Sequence, residues 1–190
     1  KELKDISKQE EIKSARRNNS RLPQVALVGY TNAGKSTTMN ELLNVFSDEA
    51  SKKQVFEKNM LFATLDTSVR RIDLKDDLSF ILSDTVGFIH QLPAGLIQAF
   101  RSTLEEAKEA DLLLHVLDYA DESYRKQRQV TEETLKELGA GDIPVIYIYN
   151  KADLRMDASG LPVIRDNRIY MSARTGAGIP ELVGMILKHS

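Results

Sequence analysis

Between Val25 and Lys188, short apolar runs alternate with stretches of helical period, and polar residues gather at the joins. The runs Val25–Gly29, Val69–Leu74, Leu78–Asp84, Asp111–Asp118, Val145–Asn150 and Ile169–Ser172 predict strands. Lys35–Phe46, Leu96–Ala110, Ser123–Leu138 and Pro180–Lys188 predict helices. Within the fourth and fifth strands, Leu112–Leu117 and Val145–Ile148 are apolar with little alternation, as expected of strands covered on both faces. Strand–helix alternation of this kind builds a mostly parallel sheet between two helical layers, a three-layer α/β fold. Only Lys75-Asp76-Asp77 separates the second and third strands. That is too short for a helical crossover, so the pair must form an antiparallel hairpin. The expectation is a six-stranded, mostly parallel sheet with one antiparallel strand.

Residues 1–17 have a thin apolar series, Leu3, Ile6 and Ala15, on a charged background. They predict a helix without enough apolar surface to fold alone. Asn18-Asn19-Ser20 and Pro23 break it. The chain also starts at Lys1, so residues 1–21 are expected to be a basic helical linker from a missing upstream domain, and 22–190 the folded domain. With 190 residues, 42% hydrophobic and 28% charged, the composition is that of one globular domain. There is no cysteine, which excludes disulfides and thiolate metal sites. No apolar stretch reaches the roughly 18 residues a membrane span needs, so no membrane partner is expected. Net charge is −2, which gives no overall nucleic-acid signature. Locally, residues 1–23 hold seven Lys/Arg against four Asp/Glu, and a second basic cluster, Arg125-Lys126-Gln127-Arg128, opens a later helix. Either could touch RNA, or be no more than a solvated face.

The first strand runs into Gly29-Tyr30-Thr31-Asn32-Ala33-Gly34-Lys35-Ser36, the pattern G-x-x-x-x-G-K-S, followed by Thr37 and a helix. This strand–loop–helix setting is what a phosphate-cradling loop requires. Its glycines let the backbone approach phosphates, and its amides and the helix N-terminus aim donors at them. Lys35 would place a charge on the β/γ-phosphates, and the Ser36 hydroxyl would take a place on Mg²⁺. Asp84-Thr85-Val86-Gly87 follows the third strand. Asp84 could hold Mg²⁺ directly or through water, and Gly87 has no side chain to keep its amide from a γ-phosphate. Asn150-Lys151-Ala152-Asp153 follows the fifth strand. Asp153 could accept two hydrogen bonds from guanine's N1–H and amine, Asn150 would fasten neighbouring loops, and the Lys151 stem would cover one face of the base. Ser172 and Ala173, with Arg174 beside them and the Gly176-Ala177-Gly178 turn after, would offer backbone N–H to the guanine oxygen.

In this order the four elements are those of the G-protein branch of the phosphate-loop NTPases. Val25–Thr37, Leu61–Asp66, Asp84–Ile89, Glu109–His115 and Ser172–Ile179 together resemble the HflX family of bacterial ribosome-associated GTPases, over about residues 20–188. The resemblance implies a P-loop NTPase G domain in the cytoplasm, binding GTP or GDP with Mg²⁺ and hydrolysing GTP. Its implied partner is the large ribosomal subunit and its RNA, in splitting or rescue of stalled ribosomes. A monomer is expected. The resemblance also makes Thr64 the switch threonine that closes on Mg²⁺ and γ-phosphate, with Lys35, Thr64 and Gly87 as the catalytic group. Thr67 is its rival in the same loop. Here Asp66-Thr67-Ser68-Val69-Arg70 stands where Asp-Pro-Thr-Thr-Arg is usual in the family; without the proline a looser switch backbone is expected.

Phe88 occupies the position where Ras-like enzymes carry a water-orienting glutamine. Either the catalytic group arrives from a partner, or Phe88 only packs and another side chain positions the water; both imply slow unassisted turnover. Asn32 could help ligate K⁺ beside the phosphates or simply suit a tight turn. His115 is expected to be a packed, hydrogen-bonded residue rather than a ligand; His90, two residues past Phe88, is expected to be exposed in a mobile loop, with water positioning its alternative, and His189 lies near a frayed terminus. The rivals to a GTPase are a GTP-sensing module with negligible turnover and an ATP-using NTPase, the latter opposed by Asn150–Asp153.

Overall fold

The computed structural model describes residues 22–30, 32–46, 68–74, 78–84 and 107–189. Its strands are β1 (Gln24–Gly29), β2 (Ser68–Asp73), β3 (Ser79–Asp84), β4 (Leu112–Asp118), β5 (Val145–Asn150), β6 (Val163–Arg165) and β7 (Arg168–Tyr170). The helices are α1 (Lys35–Phe46), α2 (Tyr124–Glu137) and α3 (Ile179–His189), with short 3₁₀ turns at Ala152–Leu154 and Ala158–Gly160. Of the helix expected over 96–110, only its end at Ala107 and Lys108 lies among the described residues, and the linker 1–21 lies outside them.

All seven strands form one sheet in the order β2-β3-β1-β4-β5-β7-β6. β1 pairs in parallel with both β3 and β4, β4 with β5, and β5 with β7. The expected hairpin is present, Val69 lying opposite Ser83 and Ile72 opposite Phe80. The expected count of six strands with one antiparallel strand is corrected to seven with an antiparallel pair at each edge. Val163–Arg165 folds back on Arg168–Tyr170 across Asp166 and Asn167, with Asp166 in the left-handed conformation at φ 54°. A three-residue strand carries too little alternation to be seen in the sequence; the Asp-Asn turn pair was its one legible signal. β7 also starts and ends earlier than expected, leaving Ser172 in an isolated bridge to Ala177.

Strand alternation divides the core into two faces. Val25 and Leu27, Leu112, Leu114 and Val116, and Ile146 and Ile148 face the larger cluster, together with Met39, Leu42 and Leu43 of α1 and Leu182 and Ile186 of α3. Ala26, Val28 and Leu113 face a smaller cluster with Ala107, Ala140 and Leu135 of α2. Small side chains on that second face let the helical layer approach closely. α2 buries only Thr131 and Leu135, so its place is set by its ends and polar contacts more than by apolar area. Its C-terminus closes in a Schellman turn, Ala140 N–H donating to Leu135 O at 2.8 Å and Gly139 N–H, at φ 82°, to Lys136 O at 3.1 Å. α3 has Pro180 in its first turn, where its missing N–H costs no helical bond, and Lys188 and His189 in its last, where they complement the dipole.

Beneath α2 lies a polar layer. His115 of β4 is 1% exposed and packs against Tyr147 of β5, ring centroids 5.5 Å apart. Glu132 accepts from Tyr147 Oη at 2.7 Å and from Arg128 Nε at 2.9 Å, and Arg128 lies 4.2 Å over the Tyr147 ring. His115 is packed as expected, but the expected hydrogen bond is absent: neither ring nitrogen finds a partner among the described residues. Burial pushes its pKa down to about 4; Glu132 opposes this, and Arg128 and Lys35 add to it. The folded chain therefore holds a neutral imidazole while the unfolded chain takes up a proton near pH 6.5. Stability is full above that pH and is lost as pH falls from 6.5 towards 4, by about 3 kcal/mol. Urea unfolding across this range is expected to show that loss in the parent chain and not in His115→Phe; an equal slope in both would assign the loss to other groups.

Candidate functional site

The sheet's connections turn away from β1 in both directions, to β3 on one side and β4 on the other, so the carboxyl ends of these strands open a crevice at the switch point. Gly29 ends β1, Asp84 ends β3, Asp118 ends β4 and Asn150 ends β5. The phosphate-type loop leaves β1 at Gly29, where a Cβ would run into the Val116 carbonyl oxygen of the adjacent strand. Ala33 N–H closes the turn onto Tyr30 O at 3.2 Å. Asn32 is left-handed at φ 63°, a conformation asparagine tolerates better than most residues, which accounts for the turn role expected of it. The loop then feeds α1, whose first residues are Lys35, Ser36 and Thr37; the next, Thr38, returns its hydroxyl to Gly34 O at 2.8 Å.

Lys35 is 8% exposed and Asp84 fully buried. Burial pushes the Lys35 ammonium below its ordinary pKa, and the Asp84 carboxylate offsets part of that effect. Ser36 Oγ donates to Asp84 Oδ2 at 3.3 Å. Two hard oxygen ligands thus meet at the start of α1 beside a lysine. Mg²⁺ takes one or two protein oxygens and completes its shell with water and phosphate, so this pair fits it. Among the described residues no group of three or more His, Cys, Asp or Glu could form an all-protein metal cage.

Asn150, 3% exposed, joins the two halves of the crevice. Its Nδ2 donates to Ala33 O at 3.1 Å, and its Oδ1 accepts from Ala173 N–H at 2.9 Å. Gly34 exists for this contact, since any Cβ there would occupy the place of the Asn150 amide. Lys151, left-handed at φ 59°, donates from Nζ to Asn32 O at 3.0 Å and to Asp118 Oδ2 at 2.9 Å. Asp118, which also accepts from Ala120 N–H at 3.0 Å, is a site residue that the sequence did not single out. Its only signal was a carboxylate at a strand end in register with Asn150. Asp153 sits in the 3₁₀ turn, half-buried, with no hydrogen bond or ion pair to any described residue. Ser172 and Ala173 are buried at the far wall and Arg174 is exposed. The structure thus joins Ser36 to Asp84, and Asn150 and Lys151 to the Asn32–Ala33 turn and to Ala173; Thr31, Thr64, Thr67, Gly87, Phe88 and His90 lie outside the described residues.

A lysine-bearing glycine loop at the head of a helix, an acidic strand end against its serine, and a second loop hung from the first by an asparagine define a P-loop GTPase G domain. Solved structures share the fold. A GTP-binding protein from Sulfolobus solfataricus in complex with GDP superposes with TM-score 0.65 at 24% identity, over 97% of this chain and 60% of that one. Era, in complex with MgGDPNP and a segment of 16S ribosomal RNA, superposes with TM-score 0.68 at 25% identity, over 88% and 56%. The family model described as 50S ribosome-binding GTPase matches residues 24–151. GTPase HflX of Lacrimispora saccharolytica is 41% identical over 97% of this chain, and that of Escherichia coli 42% over 95%. The chain belongs to the HflX GTPase family. It spans 42% and 41% of the length of those two relatives.

The asparagine clamp has a measurable weight. Asn150→Ala removes two buried hydrogen bonds and leaves a carbonyl and an amide without partners, and is expected to cost about 1–3 kcal/mol in urea unfolding without nucleotide. Lys151→Ala breaks a pair whose side chains are 36% and 19% exposed, and is expected to cost under about 1 kcal/mol. Equal costs would mean that Asn150 does not tie the loops together.

Proposed function

We propose that the chain is the G domain of a ribosome-associated GTPase, residues 22–190, that binds GTP or GDP with Mg²⁺ and hydrolyses GTP to GDP and phosphate. The observation that carries this is the Asn150 clamp, which ties the phosphate loop at Ala33 and the loop at Ala173 to the end of β5, three residues before Asp153. Asp153 accepts from the guanine N1–H and amine. The Ala173 loop offers its amides to the guanine oxygen, and Lys151, fixed by Asp118 and the Asn32 carbonyl, lays its stem along the base. At the other end Lys35 and the loop amides bind the β/γ-phosphates. Burial of Lys35 strengthens its pull on an incoming anion, because little water competes for it. Ser36 and Asp84 would hold Mg²⁺, which would supply charge neutralisation to the phosphate oxygens. Water attacks the γ-phosphorus in line, so catalysis is mainly positioning and electrostatics.

Thr64 or Thr67 supplies the switch hydroxyl and Gly87 the γ-phosphate amide, so the loops at about residues 50–68 and 85–99 order around the γ-phosphate and relax after its loss. With Phe88 in place of glutamine, unassisted turnover is slow, and a group supplied by the large ribosomal subunit is worth roughly 10³–10⁵ in rate. Such a partner places the protein in the cytoplasm. The likeness to GTPase HflX of two bacteria and the match to the 50S ribosome-binding GTPase family support this reading.

Asp153→Asn is expected to shift preference from guanine to xanthine nucleotides by at least about tenfold in a competition assay against labelled GDP; an unmoved preference would place the base pocket elsewhere. Single-turnover phosphate release from GTP, with and without large subunits and potassium, is expected to be slow alone and accelerated by subunits. Release at the buffer blank in every condition would leave a GTP-sensing module with no turnover.

A further inference from the structure

On the α2 side of the same sheet edge lies a second concavity of about 390 Å³ that the nucleotide chemistry leaves unused. α2 contributes Tyr124, Arg125 and Arg128 to it, β5 contributes Tyr149, and β7 contributes Arg168 and Tyr170. Glu132 is the one carboxylate in its lining, and it is already occupied by Arg128 at 2.9 Å and by Tyr147 Oη at 2.7 Å. Arg128 also donates to Tyr149 Oη at 3.0 Å, so this pair is internally balanced. Arg125 and Arg168 are not. Arg125 is exposed, held over the Tyr124 ring at 5.5 Å and donating to its hydroxyl at 3.1 Å. Arg168 is exposed, and its side chain has no ion pair or hydrogen bond to any described residue. Arg155 adds a further positive charge behind them, 5.1 Å over Tyr119 and 5.6 Å over Tyr124.

Tyr124, Tyr149 and Tyr170 of the lining belong to one cluster of rings, with Tyr119 packed against it. Tyr149 and Tyr170 stack with centroids 4.6 Å apart and planes at 15°, and Tyr119 stands edge-on to Tyr170 at 5.2 Å. Tyr124 meets Tyr149 edge-on at 6.0 Å. Guanidinium groups with spare forks recognise phosphate, and aromatic platforms beside them take unstacked bases. The volume suits one small-molecule-sized unit. A polar, charged lining does not suit an apolar peptide face. Duplex RNA hides its base faces and would leave the tyrosines idle. We propose that this groove docks single-stranded RNA, one base against Tyr124 and Tyr170 and the flanking phosphates on Arg125 and Arg168. This deepens the ribosomal reading above, on which its biological setting rests, by naming the face of the G domain that meets exposed RNA. The groove and the base-reading loops share their strands: Tyr149 precedes Asn150, and Tyr170 lies two residues before Ser172.

The test is fluorescence anisotropy of a short labelled uridine oligoribonucleotide with the GDP-loaded chain, titrated over a range of salt. Arg125→Glu with Arg168→Glu is expected to weaken binding at least about tenfold and to flatten the log–log salt slope by about 1.4, two phosphate contacts' worth on a single strand. Tyr124→Ala is expected to weaken it at least about fivefold. GDP affinity should stay at the parent value in every variant and melting temperature in the arginine variants, and Arg125→Lys with Arg168→Lys should keep the salt slope. RNA affinity unchanged in the glutamate variant overturns the proposal. So does displacement of the RNA by polyglutamate as effectively as by unlabelled RNA, which would make the groove a site for acidic protein. Co-sedimentation with large subunits separates the two ideas: sedimentation with unmoved RNA affinity sinks the groove alone, and groove-dependent RNA binding without sedimentation sinks the ribosomal reading alone.

Discussion

A single carboxamide at the end of β5 holds this molecule's working edge together. Asn150 gives its amine to the loop that follows β1 and its oxygen to the loop that follows β7, so segments 117 and 23 residues away meet at one side chain. The arrangement requires a buried, uncharged group with a donor and an acceptor on one short stem. Aspartate lacks the donor, and glutamine adds a methylene in a space already closed by Gly34. That glycine and that asparagine are one constraint written at two places in the chain.

The rest of the edge follows from this fixed point. Lys35 and Asp84 are both buried, and each limits the cost of the other's charge in a setting where an isolated ion would be expensive. Lys151 is drawn across by Asp118 and the Asn32 carbonyl, which ties the loop after β5 to the loop after β1 a second time, nearer the solvent. The ends of β1, β4 and β5 and the loop after β7 are therefore tied together at two neighbouring side chains, Asn150 and Lys151.

Much of this was legible before any coordinates. The phosphate loop is a local motif whose strand, glycines and helix are contiguous, and sequence spacing is enough to read it. Asn150–Asp153 and Ser172–Arg174 were legible for the same reason, each following a buried strand. Less legible were features whose meaning lies in a partner far along the chain. Asp118 looks like any strand-end carboxylate until Lys151 is placed beside it. Arg128 looks like one charge in a solvated cluster until Glu132, Tyr147 and Tyr149 are seen around it. His115 is packed as its apolar run implies, but among the described residues it has no hydrogen-bond partner, because burial follows from an apolar run whereas a partner's position does not.

By itself, the sequence determined the alternation of buried strands and helices, the hairpin forced by a three-residue connection, and the chemical kind of each loop. These depend on neighbours within a few residues, where covalent geometry does the placing. Only the tertiary structure decided that a seventh strand closes the far edge, that four tyrosines from β4–α2, β5 and β7 meet in one cluster, and that two loops hang from one asparagine. Those outcomes depend on which strands lie side by side, and the order β2-β3-β1-β4-β5-β7-β6 is set by packing across the whole sheet, not by any one stretch of chain.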